Sequence, residues 1–227
     1  MYLHWVPTYS ECTSTRSTHM NVSIIGTGNM GAGLAHAFAA AGHEVSIGAR
    51  DAAKAAALAE QVGRGTIGGG LQAAAQRADV IVLALPYGAV AEALAQMPDL
   101  AGKVLVDISN PITADFKGLV VGHTSSAAEE IQKLAPQARV VKAFNTIFAP
   151  LLSAEGRKGQ ALQVFLAGDD DAAKARVAEL ARSAGFEPVE AGALSNSRFI
   201  EPIGEMNIHF GFFLGKGPTV APAWVQI

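Results

Sequence analysis

The sequence has few of the residues that build disulfides, metal centres or charged surfaces. Its 227 residues include one cysteine, Cys12, which excludes an intrachain disulfide and a multi-cysteine zinc site and is typical of a reducing compartment such as the cytoplasm. Charged residues make up 16% of the chain and the formal net charge is -3, so there is no broad basic surface for phosphate backbones. We therefore expect a cytoplasmic protein with no nucleic-acid partner.

Long uninterrupted apolar runs are also missing. The stretch 21–43 contains no Asp, Glu, Lys or Arg, but Gly-Thr-Gly-Asn at 26–29 interrupts it. A strand, a glycine turn and an alanine-rich helix explain this stretch better than a membrane span does. Residues 1–19 are rich in Ser and Thr and lack the apolar run of a secretory signal. We expect no membrane association, and we interpret 1–19 as a non-globular N-terminal extension.

Half of the residues are hydrophobic, which is enough for a sizeable core. Apolar, β-branched runs alternate along the chain with alanine-rich segments of helical spacing. The runs predict strands at 21–26, 44–48, 79–85, 103–109 and 139–144, and the segments predict helices at 31–41, 52–61, 90–96 and 127–134. Continuous apolarity is typical of parallel strands that are covered on both faces. The succession therefore predicts an α/β fold, a Rossmann doubly wound parallel sheet whose ligands lie at the carboxyl ends of the strands.

The character of the sequence changes after Phe148. The pattern beyond it predicts a strand at 163–168, a charged helix at 171–184, a strand at 187–192 and an apolar helical stretch at 199–214. We interpret 149–227 as a small C-terminal α/β lobe beside a Rossmann domain at 20–148. The stretch 199–214 carries more apolar side chains than one helical stripe buries in a small lobe. These side chains either pack in the core or form a homodimer interface.

The first strand-to-helix junction reads IIGTGNMGAGLA and has the glycine spacing of a dinucleotide-binding turn. Gly26 permits the tight turn, Gly28 lets the backbone approach a pyrophosphate, and Gly31 allows the helix to pack closely on the strand. The pyrophosphate would lie at the positive N-terminal end of the helix, where Thr27 adds a hydroxyl group. Because a strand precedes the turn and a helix follows it, we predict a bound dinucleotide.

The end of the second predicted strand indicates which dinucleotide binds. It reads Gly48, Ala49, Arg50, Asp51 and then Lys54, with no acidic residue at the strand tip to accept hydrogen bonds from the ribose hydroxyls of NAD. Arg50 and Lys54 place two cations where the 2′-phosphate of NADP would lie. The alternative is that both are ordinary solvated charges, and that Asp51 neutralises Arg50 or faces the ribose. We predict NADP(H).

Two later loops bring further side chains to the carboxyl edge of the sheet. Leu85, Pro86 and Tyr87 follow the third predicted strand, and Asn110 and Pro111 follow the fourth. The prolines end the strands, and their polar or aromatic neighbours face the predicted cofactor. Turn chemistry alone is the alternative for each loop. We interpret Tyr87 as a wall against the cofactor, because no neighbouring lysine supplies the usual arrangement for a catalytic tyrosine.

Six motifs occur in the order GTGNMGAGLA, GARDAAK, ALPYGAV, DISNPI, VVKAFNT and GALSNSR. With them, from about Met20 through the C-terminal lobe, the chain resembles the family of F420-dependent NADP oxidoreductases. The nucleotide module also resembles the cytoplasmic oxidoreductase domain of the STEAP metalloreductases, which pass electrons from NADPH to a flavin. The resemblance implies a Rossmann domain that holds NADP, a small lobe that closes a cleft over a deazaflavin, a homodimer, and direct hydride transfer between stacked rings.

The resemblance also implies roles for individual residues. Matched one by one, the residues that bind the cofactor are Thr27, Gly28, Asn29 and Met30 at the pyrophosphate and Ala49, Arg50 and Lys54 at the 2′-phosphate. Ala49 replaces a serine that often precedes the arginine. Asn145 stands where F420 enzymes of this family carry a histidine beside the deazaflavin, which makes the site closer to that of the flavin-using relatives. The residues expected in the hydride-transfer cleft are Asn145, Thr146 and Ile147.

The predicted function is that of an NADP(H)-dependent oxidoreductase with F420 or a flavin, FMN or FAD, as its small-molecule ring acceptor. Hydride transfer needs no nucleophile, because the cofactor supplies the chemistry and the protein orients the rings. The alternatives are a flavin or ferric reductase, a reductase of imines or β-hydroxy acids, and a non-catalytic NADPH-binding sensor. The hydroxy-acid type usually has a longer helical second domain than 149–227 allows.

Glu201, Glu205 and His209 lie at i, i+4 spacing, which puts all three on one face of a helix. Such a face superficially suits a metal ion. A solvated or interface face explains it without a metal, since protein metal sites usually have better ligand sets. We expect no metal site.

Overall fold

The computed structural model describes residues 19–97 and 99–227, so Cys12 and the predicted extension, apart from His19, lie outside the described residues. The strands are β1 (Asn21–Ile25), β2 (Glu44–Gly48), β3 (Ile67–Gly69), β4 (Val80–Leu83), β5 (Val104–Asp107), β6 (Arg139–Lys142), β7 (Gln163–Gly168) and β8 (Glu187–Glu190). The helices are α1 (Asn29–Ala40), α2 (Ala52–Val62), α3 (Leu71–Gln76), α4 (Tyr87–Ala95), α5 (Ala127–Leu134), α6 (Asp171–Ser183) and α7 (Ser197–Ile208).

The strands form one sheet in the order β3-β2-β1-β4-β5-β6-β7-β8. Neighbouring strands are parallel except for β6 and β7, which pair antiparallel. The chain leaves β1 toward β2 on one side and returns to β4 on the other, which creates a crevice at the carboxyl end of β1. The predicted Rossmann doubly wound sheet is therefore confirmed.

Helices cover both faces of this sheet, which explains why the strand sequences are apolar without alternation. On one face, side chains of α1, α2 and α6 such as Leu34, Phe38 and Val177 pack on the sheet. On the other face, α3, α4 and α5 contribute side chains such as Leu94 and Ile131. Because helices cover both faces of the sheet, a ligand can reach its polar groups only at the ends of the strands.

The elements differ from the predicted ones mainly at their ends and at β3 and α3. Each strand ends at most two residues before the end of its apolar run, because the run continues into a loop that packs on the core. The sequence did not predict β3, whose residues Ile-Gly-Gly form no apolar run, or α3, which has only six residues. Strand β3 lies at the outer edge of the sheet next to β2, and α3 follows it directly in the chain.

Strands β7 and β8 continue the sheet beyond β6, so the proposed boundary at Phe148 falls between neighbouring strands of one sheet. The division into two domains stays a prediction. The connection from β6 to β7 is held by the buried guanidinium of Arg157, which donates hydrogen bonds to the carbonyl oxygens of Leu151, Leu152 and Ala184. Its planar group also lies 4.1 Å from the centre of the Phe186 ring. These contacts fix the segment that follows Phe148.

The apolar C-terminal stretch forms α7 and a short π-helix at His209–Phe213. Ile200 is buried, but most of the large side chains are exposed: Phe199, Met206, Phe210, Phe212, Phe213 and Leu214. Packing in the core is therefore wrong as an explanation for most of this stretch. The homodimer interface stays a prediction. Over the part of the chain that is described, no helix is long and apolar enough to cross a bilayer.

Candidate functional site

Close packing between α1 and the strand ends determines the shape of the glycine turn. Gly26 has a φ of 122°, a conformation that favours glycine, and a β-carbon there would lie 2.3 Å from the carbonyl oxygen of Ala84. A β-carbon at Gly31 would lie 2.2 Å from the carbonyl oxygen of Gly26. Any side chain at either position would therefore separate α1 from β1 and β4.

Gly28 precedes α1 and faces open space. No atom lies within 4 Å of a β-carbon built there, and its φ of -74° is one that any residue adopts. Helix α1 begins without a side-chain cap and without an acidic residue in its first turn. Its first N–H groups and its dipole are therefore free to receive an anion. The pyrophosphate of a dinucleotide fits this cradle, which also contains Thr27 and Asn29.

Of the two cations predicted for a 2′-phosphate, Arg50 lies between β2 and α2, and Lys54 lies in the first turn of α2. Asp51 caps α2 by accepting hydrogen bonds from the backbone N–H groups of Ala53 and Lys54. The guanidinium of Arg50 lies 3.4 Å from a carboxylate oxygen of Glu92, which belongs to α4. Both side chains are more than half exposed, so the pair is weak and Arg50 can turn toward a phosphate. The sequence did not indicate Glu92, because the contact joins residues that are far apart in the chain.

Tyr87 is the first residue of α4, directly after Pro86, and Leu85 packs on the core beside it. Burial raises the pKa of the Tyr87 hydroxyl, and three acidic side chains raise it further: Glu130, Glu201 and Asp107. Tyr87 therefore stays protonated at neutral pH, where it can donate a hydrogen bond but cannot act as a base.

A cavity of about 700 Å³ lies beyond the carboxyl ends of β1, β5 and β6. Its volume is within the range of small-molecule and cofactor sites. Six of the predicted site residues line it together: Asn29, Met30, Asn110, Asn145, Thr146 and Ile147. Pro111 is buried beside Asn110, and the remaining predicted residues lie at the glycine turn, at the end of β2 and at the start of α4.

Asn110 and Asn145 form a reciprocal hydrogen-bonded pair in the wall of the cavity. The amide nitrogen of Asn110 donates to the backbone oxygen of Asn145 at 2.9 Å. The amide nitrogen of Asn145 donates to Asn110 Oδ1 at 2.9 Å and to the carbonyl oxygen of Ile200 at 3.1 Å. Both hydrogens of the Asn145 amide are thereby used, which fixes its orientation. Asn145 Oδ1 and Thr146 Oγ1 are buried with no partner among the described residues.

Phe144 turns the chain from β6 into the cavity wall. Its φ of 58° is in the left-handed region, which a bulky residue adopts only when its surroundings impose it. Its fully buried ring meets Phe38 and Phe186 edge-on, at 6.1 Å and 5.7 Å between ring centres. This packing compensates the backbone strain and places Asn145 and Thr146 beside the cavity. Nothing in the sequence indicates a left-handed phenylalanine.

Aromatic side chains that the sequence analysis did not assign form the outer wall of the cavity. Phe148 meets Phe212 edge-on at 5.3 Å between ring centres. Phe213 lies 6.1 Å from Phe116 and stacks on His209 at 4.9 Å. His209 Nε2 lies 2.7 Å from the backbone oxygen of Phe116. The sequence signal was the surplus of apolar residues at 199–214, and only the fold shows that part of it lines the cavity.

Three buried charged side chains lie next to the asparagine pair, at the ends of β5 and β6. Lys142 is fully buried, and its ammonium donates hydrogen bonds to Asp107 Oδ2 at 2.7 Å and to the backbone oxygen of Ser109. It forms an ion pair with Glu201 Oε1 at 2.9 Å. Glu201 also accepts from the first two N–H groups of α5, at Ala127 and Ala128. We call Asp107, Lys142 and Glu201 the buried triad.

The buried triad corrects the interpretation of Glu201 as part of a solvated or interface face, because that side chain is only 1% exposed. Burial raises the pKa of Glu201, and the charge of Lys142 opposes the rise. Glu205 and His209 do not join it: among the described residues, no group of three or more His, Cys, Asp or Glu side chains is arranged to hold a metal ion.

Comparison with known proteins gives matches over most of the chain. A family model described as NADP oxidoreductase, coenzyme F420-dependent, matches residues 21–111. A protein of Methanothermobacter thermautotrophicus named F420-dependent NADP reductase is 38% identical, and the match covers 81% of this chain and 86% of that protein. Metalloreductase STEAP3 of Rattus norvegicus is 35% identical over 80% of this chain, but the match spans only 36% of the length of that relative.

Solved structures agree with these matches. An Arthrobacter sp. FB24 protein, provisionally described as an F420-dependent NADP-reductase, superposes with a TM-score of 0.78 at 33% identity, covering 86% of this chain and 95% of that one. A reductive aminase from Aspergillus terreus shares the fold with a TM-score of 0.63 at 22% identity, over 87% of this chain and 64% of that one. On the extent and identity of these matches, the chain belongs to the family of F420-dependent NADP oxidoreductases.

Proposed function

We propose that this NADP-dependent oxidoreductase catalyses hydride transfer between NADPH and a ring acceptor of the F420 or flavin type, in the cavity beyond β5 and β6. The observation that carries the proposal is the continuity of the two sites, since Asn29 and Met30 belong both to the anion cradle of α1 and to the cavity wall. Bound NADPH supplies the hydride. The chain supplies the cradle, the orientation of the rings and the exclusion of water.

The cavity residues that would orient the rings are held rigidly. Asn110 and Asn145 are locked by their mutual hydrogen bonds, and the buried oxygens of Asn145 and Thr146 are the groups that still need donors or acceptors. Ile147 and Phe148 add apolar surface that excludes water. No acid or base is required of Tyr87, whose raised pKa keeps it protonated.

Two observations about the acceptor point to different rings. The methanobacterial relative is named an F420-dependent reductase, which favours the deazaflavin. Asn145 replaces the histidine expected beside a deazaflavin, which favours FMN or FAD, and the partial match to a metalloreductase agrees with that choice. Both rings present an extended planar face, which the apolar wall around Phe148 and Phe212 suits.

We also propose a homodimer in the cytoplasm. Phe199, Met206, Phe210 and Leu214 are all exposed. Together they give this surface more apolar side chains than a solvent-exposed helix usually carries. A second copy of the chain would cover it across a twofold axis. The cytoplasm supplies NADPH and a reducing environment, in agreement with the single cysteine.

Anaerobic oxidation of NADPH tests the reaction. The purified protein is mixed with F420, FMN, FAD or riboflavin in parallel, and absorbance of NADPH is followed. We expect turnover with at least one of these rings, at a rate well above that of the mixture without protein. Fast turnover with F420 alone would make Asn145 a tolerated replacement, and turnover with flavins alone would assign a flavin reductase. Absence of turnover with all four, despite NADPH binding, would indicate a sensor.

Arg50→Ala tests the 2′-phosphate assignment. Loss of a charge-assisted contact should weaken NADPH binding roughly 10- to 100-fold and leave NADH binding nearly unchanged. Glu92→Gln is the matched control, because it removes the carboxylate that competes for Arg50 and should tighten NADPH binding by about two- to fivefold. Dissociation constants from calorimetry decide the question. Equal losses for both nucleotides in Arg50→Ala would remove the assignment.

Gly28→Val tests the cradle. The side chain enters open space in the free protein, so the melting temperature should change little, while the pyrophosphate is excluded and NADPH binding is lost. Gly70→Val is the control, since Gly70 precedes α3 with a similar extended backbone and equally open surroundings. It should bind NADPH like the unmodified protein. Unchanged affinity in Gly28→Val would place the dinucleotide elsewhere.

Sedimentation equilibrium tests the dimer. At micromolar concentration the chain should sediment with twice its mass, and Phe210→Glu should shift it to the monomer because a charge would be buried in the interface. Circular dichroism shows whether that variant stays folded. An unmodified chain that sediments as a monomer contradicts the dimer and leaves the apolar surface around Phe210 exposed.

A further inference from the structure

The buried triad has no role in the reaction as proposed above, because none of its three members lines the cavity. We propose that Glu201 is a positioning residue: through Lys142 and Asp107 it fixes α7 against the Asn110–Asn145 pair, and so sets the geometry in which the nicotinamide and its acceptor are held. This inference rests on the proposed hydride-transfer site.

Glu201 is held from three directions. Its carboxylate receives the Lys142 ammonium at the end of β6 and the first two backbone N–H groups of α5. The ammonium is held in turn by hydrogen bonds to Asp107 at the end of β5 and to the backbone oxygen of Ser109. Glu201 is therefore held in place relative to both β5 and β6, the strands that lead into the cavity.

Helix α7 transmits this position to the asparagine pair. Gly204 lies three residues after Glu201 and so on the same side of the helix. A β-carbon at Gly204 would lie 2.5 Å from Asn110 Oδ1 and 2.8 Å from Asn145 Nδ2, so the helix backbone rests directly on the pair. The carbonyl oxygen of Ile200 accepts the second hydrogen of the Asn145 amide. A shift of α7 at Ile200 and Gly204 therefore changes the orientation of Asn145.

The next turn of α7 lies in the cavity wall, so a movement of the helix at Gly204 would also move this wall. Asn207 and Ile208 line the cavity, and the amide of Asn207 donates to the backbone oxygen of Thr146 at 3.1 Å. Helix α7 thus forms part of the cavity wall, and Glu201 holds the turn of this helix that precedes the cavity residues. Since a misplacement of about 1 Å can cost about 100-fold in rate, small movements of this wall matter for hydride transfer.

A second ion pair provides a control for simple anchoring of the helix. Arg198 lies one turn before Glu201 and donates two hydrogen bonds to Glu129 of α5, at 2.6 Å and 2.9 Å. It ties α7 to α5 as Glu201 does, but it has no contact with the asparagine pair among the described hydrogen bonds and ion pairs. Its loss should loosen the start of α7 without rotating Asn145.

The experiment compares Glu201→Gln, Gly204→Ala and Arg198→Gln. Each variant is measured for melting temperature, for the dissociation constant of NADPH, for the fluorescence emission of bound NADPH, and for kcat and KM with the acceptor that the unmodified protein uses. The emission of NADPH reports the rigidity and polarity around the nicotinamide and needs no acceptor. A protein that binds NADPH but turns over no acceptor would therefore disprove the proposed reaction and still test the positioning role.

We expect Glu201→Gln to bind NADPH within about threefold of the unmodified protein, because the cradle is untouched, while kcat falls at least about tenfold and the emission of bound NADPH moves toward that of free NADPH. In Gly204→Ala a methyl group separates α7 from the pair while the triad stays intact. This variant should show the same changes in emission and kcat as Glu201→Gln. Arg198→Gln should lower the melting temperature with both readouts unchanged.

Two results would overturn the inference. The first is unchanged emission and kcat in Glu201→Gln, which would leave the triad as a contributor to stability alone. The second is an equal effect of Arg198→Gln, which would mean that any loosening of α7 is sufficient. If Glu201→Gln does not fold, Glu201→Asp replaces it, because the shorter side chain keeps the charge that Lys142 requires and withdraws the carboxylate by one methylene. The same criteria then apply.

Discussion

A fully buried ammonium group between two carboxylates is the constraint on which the cavity side of the structure depends. Removing one partner of such a buried group typically costs about 3 to 5 kcal/mol, because a charge is left without compensation. Lys142 therefore obliges Asp107 and Glu201 to stay in place. Through these three side chains the ends of β5 and β6, the start of α5 and the middle of α7 become one unit. The Asn110–Asn145 pair lies against this unit.

The opposite side of the site is organised by backbone rather than by charged side chains. Helix α1 starts at a glycine turn with no acidic residue nearby, so its dipole and N–H groups attract an anion. The cations at Arg50 and Lys54 lie at a separate strand end and are exposed. In the proposed reaction this division would separate affinity from chemistry: the exposed end would discriminate between nucleotides, and the buried end would hold the rings. Asn29 and Met30 connect the two.

Within this family relationship, the chain differs from the expected residues at Asn145, in the part of the site that we propose binds the acceptor. The chain belongs to the F420-dependent NADP oxidoreductases because it matches a relative over 86% of that relative's length. It also matches a metalloreductase, but over only 36% of the length of that protein. The family model, which matches residues 21–111, includes the glycine turn and the strands around it. Asn145 is the position at which the sequence departs from the expected histidine, and in the structure its amide is locked by Asn110 and Ile200. A different residue there would need a different arrangement of α7.

The sequence by itself determined the doubly wound sheet, the glycine turn and the cations after β2, because these depend on local patterns: apolar runs, glycine spacing and residues that follow a strand directly. It also placed Asn110 and Asn145 directly after two predicted strands, and the structure shows that these strands are neighbours. Only the tertiary structure decided that Lys142 pairs with Glu201, that Glu92 contacts Arg50, and that Phe144 turns in a left-handed conformation. Each of these joins residues distant in the chain or depends on packing around a buried ring, and no periodicity in the sequence encodes which distant side chain will compensate a buried charge.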